Sequence, residues 1–367
     1  MESVAAIRKT FPLAEIEAVL PRSGPIVESL APHVDSISFE PLWVLRRRAL
    51  PRLLALAPLE LPLALWRAWR RFRRSDVVYV NTSVLIDYQI VARAFPDAAL
   101  LHLHEIATGA AGAFLRGLAR WSGAEILFNS RATRQAFAPL AGHLVYNGIR
   151  GPDGPSAFSY DGARPLRLLL LGRINRIKGQ EVLLRALASM PEAARARFEV
   201  RMAGGAFENP ALEQALAAEV HKLSLEGRVS VEPFVADTAP LYDWADIVVV
   251  PSQLPESLGR VAIEAMAHGR PVVASEIGGL KEVVDPGATG VLVPPADAGA
   301  LSQALLDLLD RPSDLAAMGR AGRSRFEAMF SENAAHAALS SILTDKARRH
   351  WGRQRRRREA LAGAGRS

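Results

Sequence analysis

Short apolar runs alternate with amphipathic stretches along almost the whole chain. Runs at Ile16–Leu20, Val77–Asn81, Leu100–His104, Ile126–Asn129 and Leu144–Tyr146 read as strands. A second series follows at Leu166–Leu171, Phe198–Ala203, Val229–Val231, Ile247–Val250, Pro271–Ala274 and Gly290–Val293. Helical patterns lie between them, and this alternation implies an α/β protein with parallel sheets. Several runs are apolar at every position, as expected of strands covered on both faces. The stretch 147–165 is rich in Gly, Pro, Ser and Asp and reads as an interdomain linker. The pattern therefore predicts two Rossmann-like domains, residues 1–156 and 157–332.

The most informative stretch is Pro255 to Gly279. After the strand ending at Val250, a polar turn leads into a helix over about Leu258–His268. Gly269 and Pro271 supply its stop signal. Glu256 precedes the first helical turn, among free backbone N–H groups, and Glu264 lies one to two turns in. N–H groups and the helix dipole suit phosphate there, while carboxylates accept from sugar hydroxyls. The spacing alone is equally compatible with two solvated glutamates. A second loop changes the balance. After Leu171 comes Gly172-Arg-Ile-Asn-Arg-Ile-Lys-Gly179, then a helix over about Gln180–Ala188. Arg173 and Lys178 flank that helix N-terminus, where dipole and cationic side chains combine into a diphosphate cradle. The order is not that of a Walker A loop, because the lysine precedes the last glycine and no Ser or Thr follows.

Together these motifs resemble the GT-B fold, retaining, nucleotide-sugar-dependent glycosyltransferases of family 4 (glycosyltransferase group 1). The matching residues are Gly172, Arg173, Lys178 and Gly179, then Glu256, Gly259, Glu264-Ala-Met-Ala267, Gly269-Arg-Pro-Val-Val-Ala-Ser275 and Gly278-Gly279. Ser257-Leu258 stands where the family usually has Pro-Phe. The similarity is strongest over about 167–295. It implies two Rossmann-like domains facing across a cleft, with a helix at 333–350 crossing back to the first domain. It also implies that Glu256 binds donor-sugar hydroxyls and Glu264 the ribose hydroxyls. Arg173, Lys178 and the N–H groups from Ser257 through Leu258 and Gly259 to Arg260 would face the diphosphate, and the nucleotide base is expected near Phe234. The activity implied is transfer of a sugar to a hydroxyl of a glycan or lipid-linked acceptor, with retention, as in cell envelope or exopolysaccharide synthesis. No DxD-type motif occurs, so no metal and no cofactor is expected.

In the first domain, His102 and His104 share one face at a strand end. Metal binding lacks an evident third ligand, Glu105 falling on the opposite face. His102 suits a buried structural role, and His104 resembles the family's histidine beside the donor sugar. Asn129-Ser130 and Asn147-Gly148 resemble landmarks near the cleft, although turn formation explains them as well. The family has an N-terminal strand and Gly-Gly loop before the first helix, and this sequence opens with a helical pattern over Met1–Phe11. The first domain is therefore expected to lack its first strand.

Composition narrows the field. The chain has 367 residues, 49% of them hydrophobic, enough for two cores, and no cysteine. Disulfides, cysteine-held metals and thiol nucleophiles are excluded. No signal peptide or uncharged apolar run of spanning length is evident, so a cytoplasmic location is expected. The charge of +7 is uneven. Between Pro41 and Arg74 nine arginines, at 46, 47, 48, 52, 67, 70, 71, 73 and 74, face only Glu60. Nine further cations lie between Lys346 and Ser367, mostly in a tail, 351–367, that reads as disordered. The first segment also carries Trp43, Trp66 and Trp69, a make-up suited to an anionic membrane surface on the inner face of the plasma membrane. A solvated basic helix is the plain alternative, and nucleic-acid binding is disfavoured. An NAD-dependent oxidoreductase would share the sheets, but no G-x-G-x-x-G follows any strand. A catalytically weakened, membrane-bound relative of the same fold remains the other candidate.

Overall fold

The computed structural model describes residues 2–45, 50–158, 160–206 and 209–364. They fall into two units, residues 1–148 with 332–367, and residues 149–331. Both are layered α/β structures with parallel strands. Arg46, Arg47 and Arg48 of the basic segment, and residues 365–367 of the tail, lie outside the described residues.

The first unit runs α1 (Glu2–Thr10), β1 (Glu17–Leu20), α2 (Ile26–Leu30), β2 (Ser36–Phe39), α3 (Leu50–Arg74), β3 (Val78–Val80), α4 (Ile86–Ala92), β4 (Ala99–Leu103), α5 (Gly109–Ser122), β5 (Glu125–Phe128), α6 (Arg131–Ala136) and β6 (His143–Leu144). Strands β3-β4-β5-β6 form one parallel sheet in that order, and β1 and β2 pair separately, Glu17 opposite Ser36. The central strand β4 is buried at every residue, which is why its sequence is apolar but for His102. Residues 2–10 are helical, and the first strand begins at Glu17. The sequence pattern does not announce β2, because Ser36-Ile-Ser-Phe39 is short and half exposed. The last helix, α15 (Glu332–Ala364), belongs to this unit. Leu339 and Leu343 join Ala6, Leu100, Leu127 and Val145 in one apolar cluster. Lys346 and Arg349 both reach Glu125, at 3.2 and 2.9 Å. Where the sequence suggests a disordered tail from 351, the helix continues to Ala364. Arg, Gln, Glu and Ala dominate there, and all are good helix formers.

Helix α3 is continuous through Pro58 and Pro62. Each proline removes one helical hydrogen bond, a cost of about 3 kcal/mol or more in a helix interior. Both rings are solvent-exposed, so water can serve the carbonyl groups left over. No helix among the described residues is long and apolar enough to cross a membrane.

The second unit runs β7 (Leu166–Leu171), α7 (Gln180–Ala188), α8 (Glu192–Arg195), β8 (Phe198–Ala203), α9 (Ala211–Lys222), β9 (Val229–Glu232), α10 (Ala239–Trp244), β10 (Ile247–Val250), α11 (Arg260–Ala267), β11 (Val272–Ser275), α12 (Leu280–Val283), β12 (Gly290–Val293), α13 (Ala298–Leu309) and α14 (Pro312–Arg325). Its six parallel strands are ordered β12-β11-β10-β7-β8-β9. The chain thus winds outward from β7 to β9, then returns to the other side of β7 and winds outward again. Connections from the adjacent strands β7 and β10 leave in opposite directions, and a crevice opens between their carboxyl ends. Residues 149–165, expected to be a linker, instead pack on this unit. Tyr160 is buried and its hydroxyl donates to the Leu309 carbonyl at 2.9 Å, while a Cβ on Gly151 would lie 2.8 Å from the Phe326 ring. Tyr160 and Phe158 supply apolar surface that the Gly- and Pro-rich composition hides.

Candidate functional site

Two loops leave the switch point between β7 and β10, and they are the two that the sequence singles out. The first is Gly172–Gly179. Asn175 shapes it, its side-chain oxygen accepting from the N–H groups of Ile177 and Lys178 at 2.9 and 3.1 Å. Gly179 then turns the chain into α7 with φ +75°, and a Cβ there would sit 1.9 Å from the Pro251 carbonyl oxygen. Only glycine allows this approach, which brings the loop against the end of β10. Gln180 donates to the Arg173 carbonyl at 3.1 Å, and the Arg173 side chain points into solvent at the α7 N-terminus. The aliphatic stem of Lys178 lies along Gly172.

The second loop is Pro251–Gly259. Gly278 and Gly279 back it, since Gly279 N–H donates to the Glu256 carbonyl at 2.8 Å and a Cβ on either glycine would strike loop backbone at 2.5 Å. Leu258 is buried and Gly259, at φ +82°, caps α11 against Leu280. Arg260 to Ala267 then form the helix, slightly shorter than the pattern suggests. Ser257 precedes that helix in the loop, and Arg260, which is exposed, is its first residue.

Lys178 and Glu256 join the two loops. The Lys178 Nζ is 2.8 Å from Glu256 Oε2, and Ser252 donates its hydroxyl to Oε1 of the same carboxylate. The ammonium has three protons and spends one on Glu256, which leaves two for an anion. The carboxylate has about four lone-pair sites and uses two, which leaves two for hydroxyl donors. Glu264 is built alike: Arg260 Nε donates to Oε1 at 2.9 Å, and Tyr242 OH donates to Oε2 at 2.7 Å. Tyr242, from α10, is 1% exposed. Burial first, and then the Glu264 carboxylate, push its hydroxyl well above the usual tyrosine value, so it stays protonated and donates to the carboxylate. Neither Tyr242 nor Ser252 is singled out by the sequence. Ser252 lies four residues before Glu256 in an ordinary turn, whereas Tyr242 is 22 residues from Glu264 and carries no local signal. Phe234 stands apart from this group. It follows the edge strand β9, two strands from β7, and is 59% exposed.

The first unit has its own cluster at the ends of β3 and β4. His104 follows β4, and its Nε2 is 2.7 Å from the Asn81 side-chain oxygen. His102, one turn of the pleat earlier, is buried with its ring 4.1 Å from that of His104 and its Nδ1 on the Tyr79 hydroxyl. Burial holds both imidazoles below the usual histidine value, His102 far below, and the neighbouring ring adds to its shift. Glu105 turns away to accept from Ser83 N–H and Oγ at 3.0 and 2.7 Å. Among the described residues no three His, Asp or Glu side chains converge as metal ligands. Ser130 caps α6 through Thr133 N–H, and Asn129 accepts from the Thr133 hydroxyl, so both shape the turn.

Residues 165–311 match the family Glycosyl transferases group 1. Among curated proteins, the D-inositol 3-phosphate glycosyltransferase of Thermobispora bispora is 41% identical over 189 residues, covering 48% of this chain and 42% of that protein. That of Xylanimonas cellulosilytica is 42% identical over 167 residues, 43% of this chain and 38% of that protein. The chain thus spans about two fifths of the length of the curated relatives it matches. Among solved structures, Anabaena HepE in complex with UDP and glucose superimposes with a TM-score of 0.74 at 24% identity, over 93% of this chain and 95% of that one. Sucrose-phosphate synthase from Thermosynechococcus elongatus gives 0.70 at 21% identity, over 94% and 91%. The fold is of the GT-B class, with two Rossmann-like units.

Proposed function

We propose that the chain is a glycosyltransferase that moves a sugar from a nucleotide-diphosphate sugar to a hydroxyl of a glycan or lipid-linked acceptor, with retention and without a metal. The observation that carries this reading is the Lys178–Glu256 pair, which ties the two loops of the β7/β10 switch point into one site. It places a free-handed cation and a hydroxyl-accepting carboxylate beside the N-termini of α7 and α11. The diphosphate lies against Arg173, Lys178 and the N–H groups of 257–260, which stabilise the charge that develops as the sugar departs. Glu256 takes the sugar hydroxyls. Glu264, aimed by Tyr242 and Arg260, takes the ribose hydroxyls, and Phe234 lies toward the base. In the first unit His104, neutral at pH 7 because burial depresses its pKa, has a ring nitrogen suited to a sugar hydroxyl. The UDP bound by the HepE structure fits the expected donor class.

The acceptor side favours a membrane surface. On α3, Leu59, Leu63 and Trp66 form one exposed apolar stripe with Trp69 beside it, and Arg70 and Arg73 lie over the Trp66 and Trp69 rings at 4.8 Å. This is the composition of a helix that lies in an anionic interface. A release assay with a panel of nucleotide-diphosphate sugars, run with and without EDTA, tests the reading. Turnover that survives the chelator supports it; no nucleotide release and no nucleotide binding with any donor would remove it.

A further inference from the structure

Side chains from the last turns of α3 meet Glu17, Ser38 and Glu40, from β1, β2 and the residue after it, around a half-open pocket of about 220 Å³ that Arg67, Arg70, Arg71 and Arg74 also line. A single water needs only about 10–15 Å³, so this space holds a chemical group of some size. Arg67, Arg71 and Arg74 recur at helical spacing and form one stripe beside the exposed apolar face. Two of the four arginines are committed. Arg71 holds Glu40 with two hydrogen bonds at 2.7 Å and Glu17 at 3.1 Å, and Arg74 reaches Glu17 at 2.5 Å. Arg67 acts on Glu40 only at longer range, Arg70 stacks on the Trp66 ring at 4.8 Å, and neither forms an ion pair within 4 Å among the described residues.

The lining therefore carries four positive charges against two negative ones. Arg71 is 7% exposed, and its buried Nε has no hydrogen-bond partner among the described residues. Arg71 also interacts with the buried Tyr88 hydroxyl, so it is a fixed wall of the site rather than a ligand for the anion. Guanidinium forks match the several oxygens of a phosphate, whose charge of nearly two also balances the surplus. We propose that this cavity is a phosphate subsite, separate from the donor loops, in which Arg67 and Arg70 contact the anion directly. Arg71 and Arg74, fixed by Glu17 and Glu40, form its rigid back wall. The phosphate belongs either to a soluble phosphate ester or to a lipid headgroup, because Trp66 and Leu63 beside it are exposed on the same helix.

The test compares wild type, Arg67→Gln/Arg70→Gln and Arg73→Gln. Arg73 is exposed on the same helix, outside the cavity lining, and controls for loss of surface charge. Inorganic phosphate and pyrophosphate are titrated calorimetrically, and phosphatidylcholine vesicles are sedimented with and without phosphatidic acid, whose headgroup is a phosphate monoester. Anion bound at the second unit's loops is common to all three proteins and cancels in the comparison. Thermal melts establish that the variants fold, which is expected since neither Arg67 nor Arg70 holds an ion pair. A loss of at least tenfold in phosphate or pyrophosphate affinity in the double variant alone supports the subsite and assigns it to soluble esters. The same selective loss seen only with anionic vesicles supports it and assigns it to lipid. Equal losses in the double variant and Arg73→Gln, or no loss in either arm, overturn it.

Discussion

Replacing Lys178 by Met removes the charged side chain that links the first loop of the proposed donor site to Glu256 in the second, while keeping the stem packed along Gly172. Its Nζ lies 2.8 Å from Glu256 Oε2, with the two side chains only 20% and 16% exposed. A hydrogen bond to a charged partner contributes about 1.5–3 kcal/mol. At about 1.4 kcal/mol per decade, losing that much from the transition state lowers kcat/KM by roughly 10- to 100-fold. A purely structural lysine would have the same effect by letting Glu256 drift, so the double-mutant cycle with Glu256→Gln decides. If Lys178 acts only through Glu256, its replacement costs nothing further once the carboxylate is gone. If it also holds the leaving diphosphate, a loss of about tenfold or more persists in the Glu256→Gln background, since one charged donor to the phosphate is still removed. Single-turnover measurements with saturating donor read the chemical step directly. An unchanged rate on adding Lys178→Met to Glu256→Gln would refute the direct contact with phosphate.

Other consequences follow from the same geometry. Arg173→Ala should lower kcat with little change in melting temperature, because its side chain is exposed. Unchanged turnover would remove it from the site. Tyr242→Phe deletes the 2.7 Å hydrogen bond to Glu264 and should weaken nucleoside diphosphate binding by about tenfold, as should Glu264→Ala more strongly, both read by calorimetry. Gly179→Ala forces a Cβ into the Pro251 carbonyl and should cost more than about 1 kcal/mol of stability as well as activity, read by denaturant unfolding. The histidines give a pH signature. Folded values below the unfolded ones mean that the unfolded chain binds more protons, so stability is full above the unfolded histidine value and is lost as pH falls below it. Asp87, pushed up to about 6 by burial, works in the opposite sense between its unfolded value and about 6. Comparing wild type with His102→Gln between pH 7 and 5 isolates the histidine: the variant's melting temperature should fall less steeply, and an equal slope would contradict the burial argument.

What could be read from the sequence follows burial. Strands β7, β8, β10 and β12 have the limits that their runs suggest; β10 is buried at every residue and β7 at all but Arg167, where any further polar residue would be costly. The short, half-exposed β2 carries no such constraint and leaves no pattern. Loop chemistry is legible where it is local. Lys178 and Gly179 sit within one turn of a helix start, and Glu256 sits before another, so spacing alone places them. That Lys178 meets Glu256 is a matter of strand order, which the order in the chain does not reveal. Tyr242 and Asn81 are invisible for the same reason: each reaches its partner, Glu264 or His104, from a different element. The packing of 149–165 on the second unit was hidden by a composition that favours turns, because two aromatic rings decide it.

The central claim is that the β7/β10 switch point binds a nucleotide-diphosphate sugar. The most direct measurement is a crystal structure of this chain grown with such a donor. The diphosphate is expected at the α7 N-terminus beside Arg173 and Lys178, with the ribose on Glu264 and the sugar on Glu256. A donor bound elsewhere, or one reversed so that Glu264 faces the sugar and Glu256 the ribose, would contradict it.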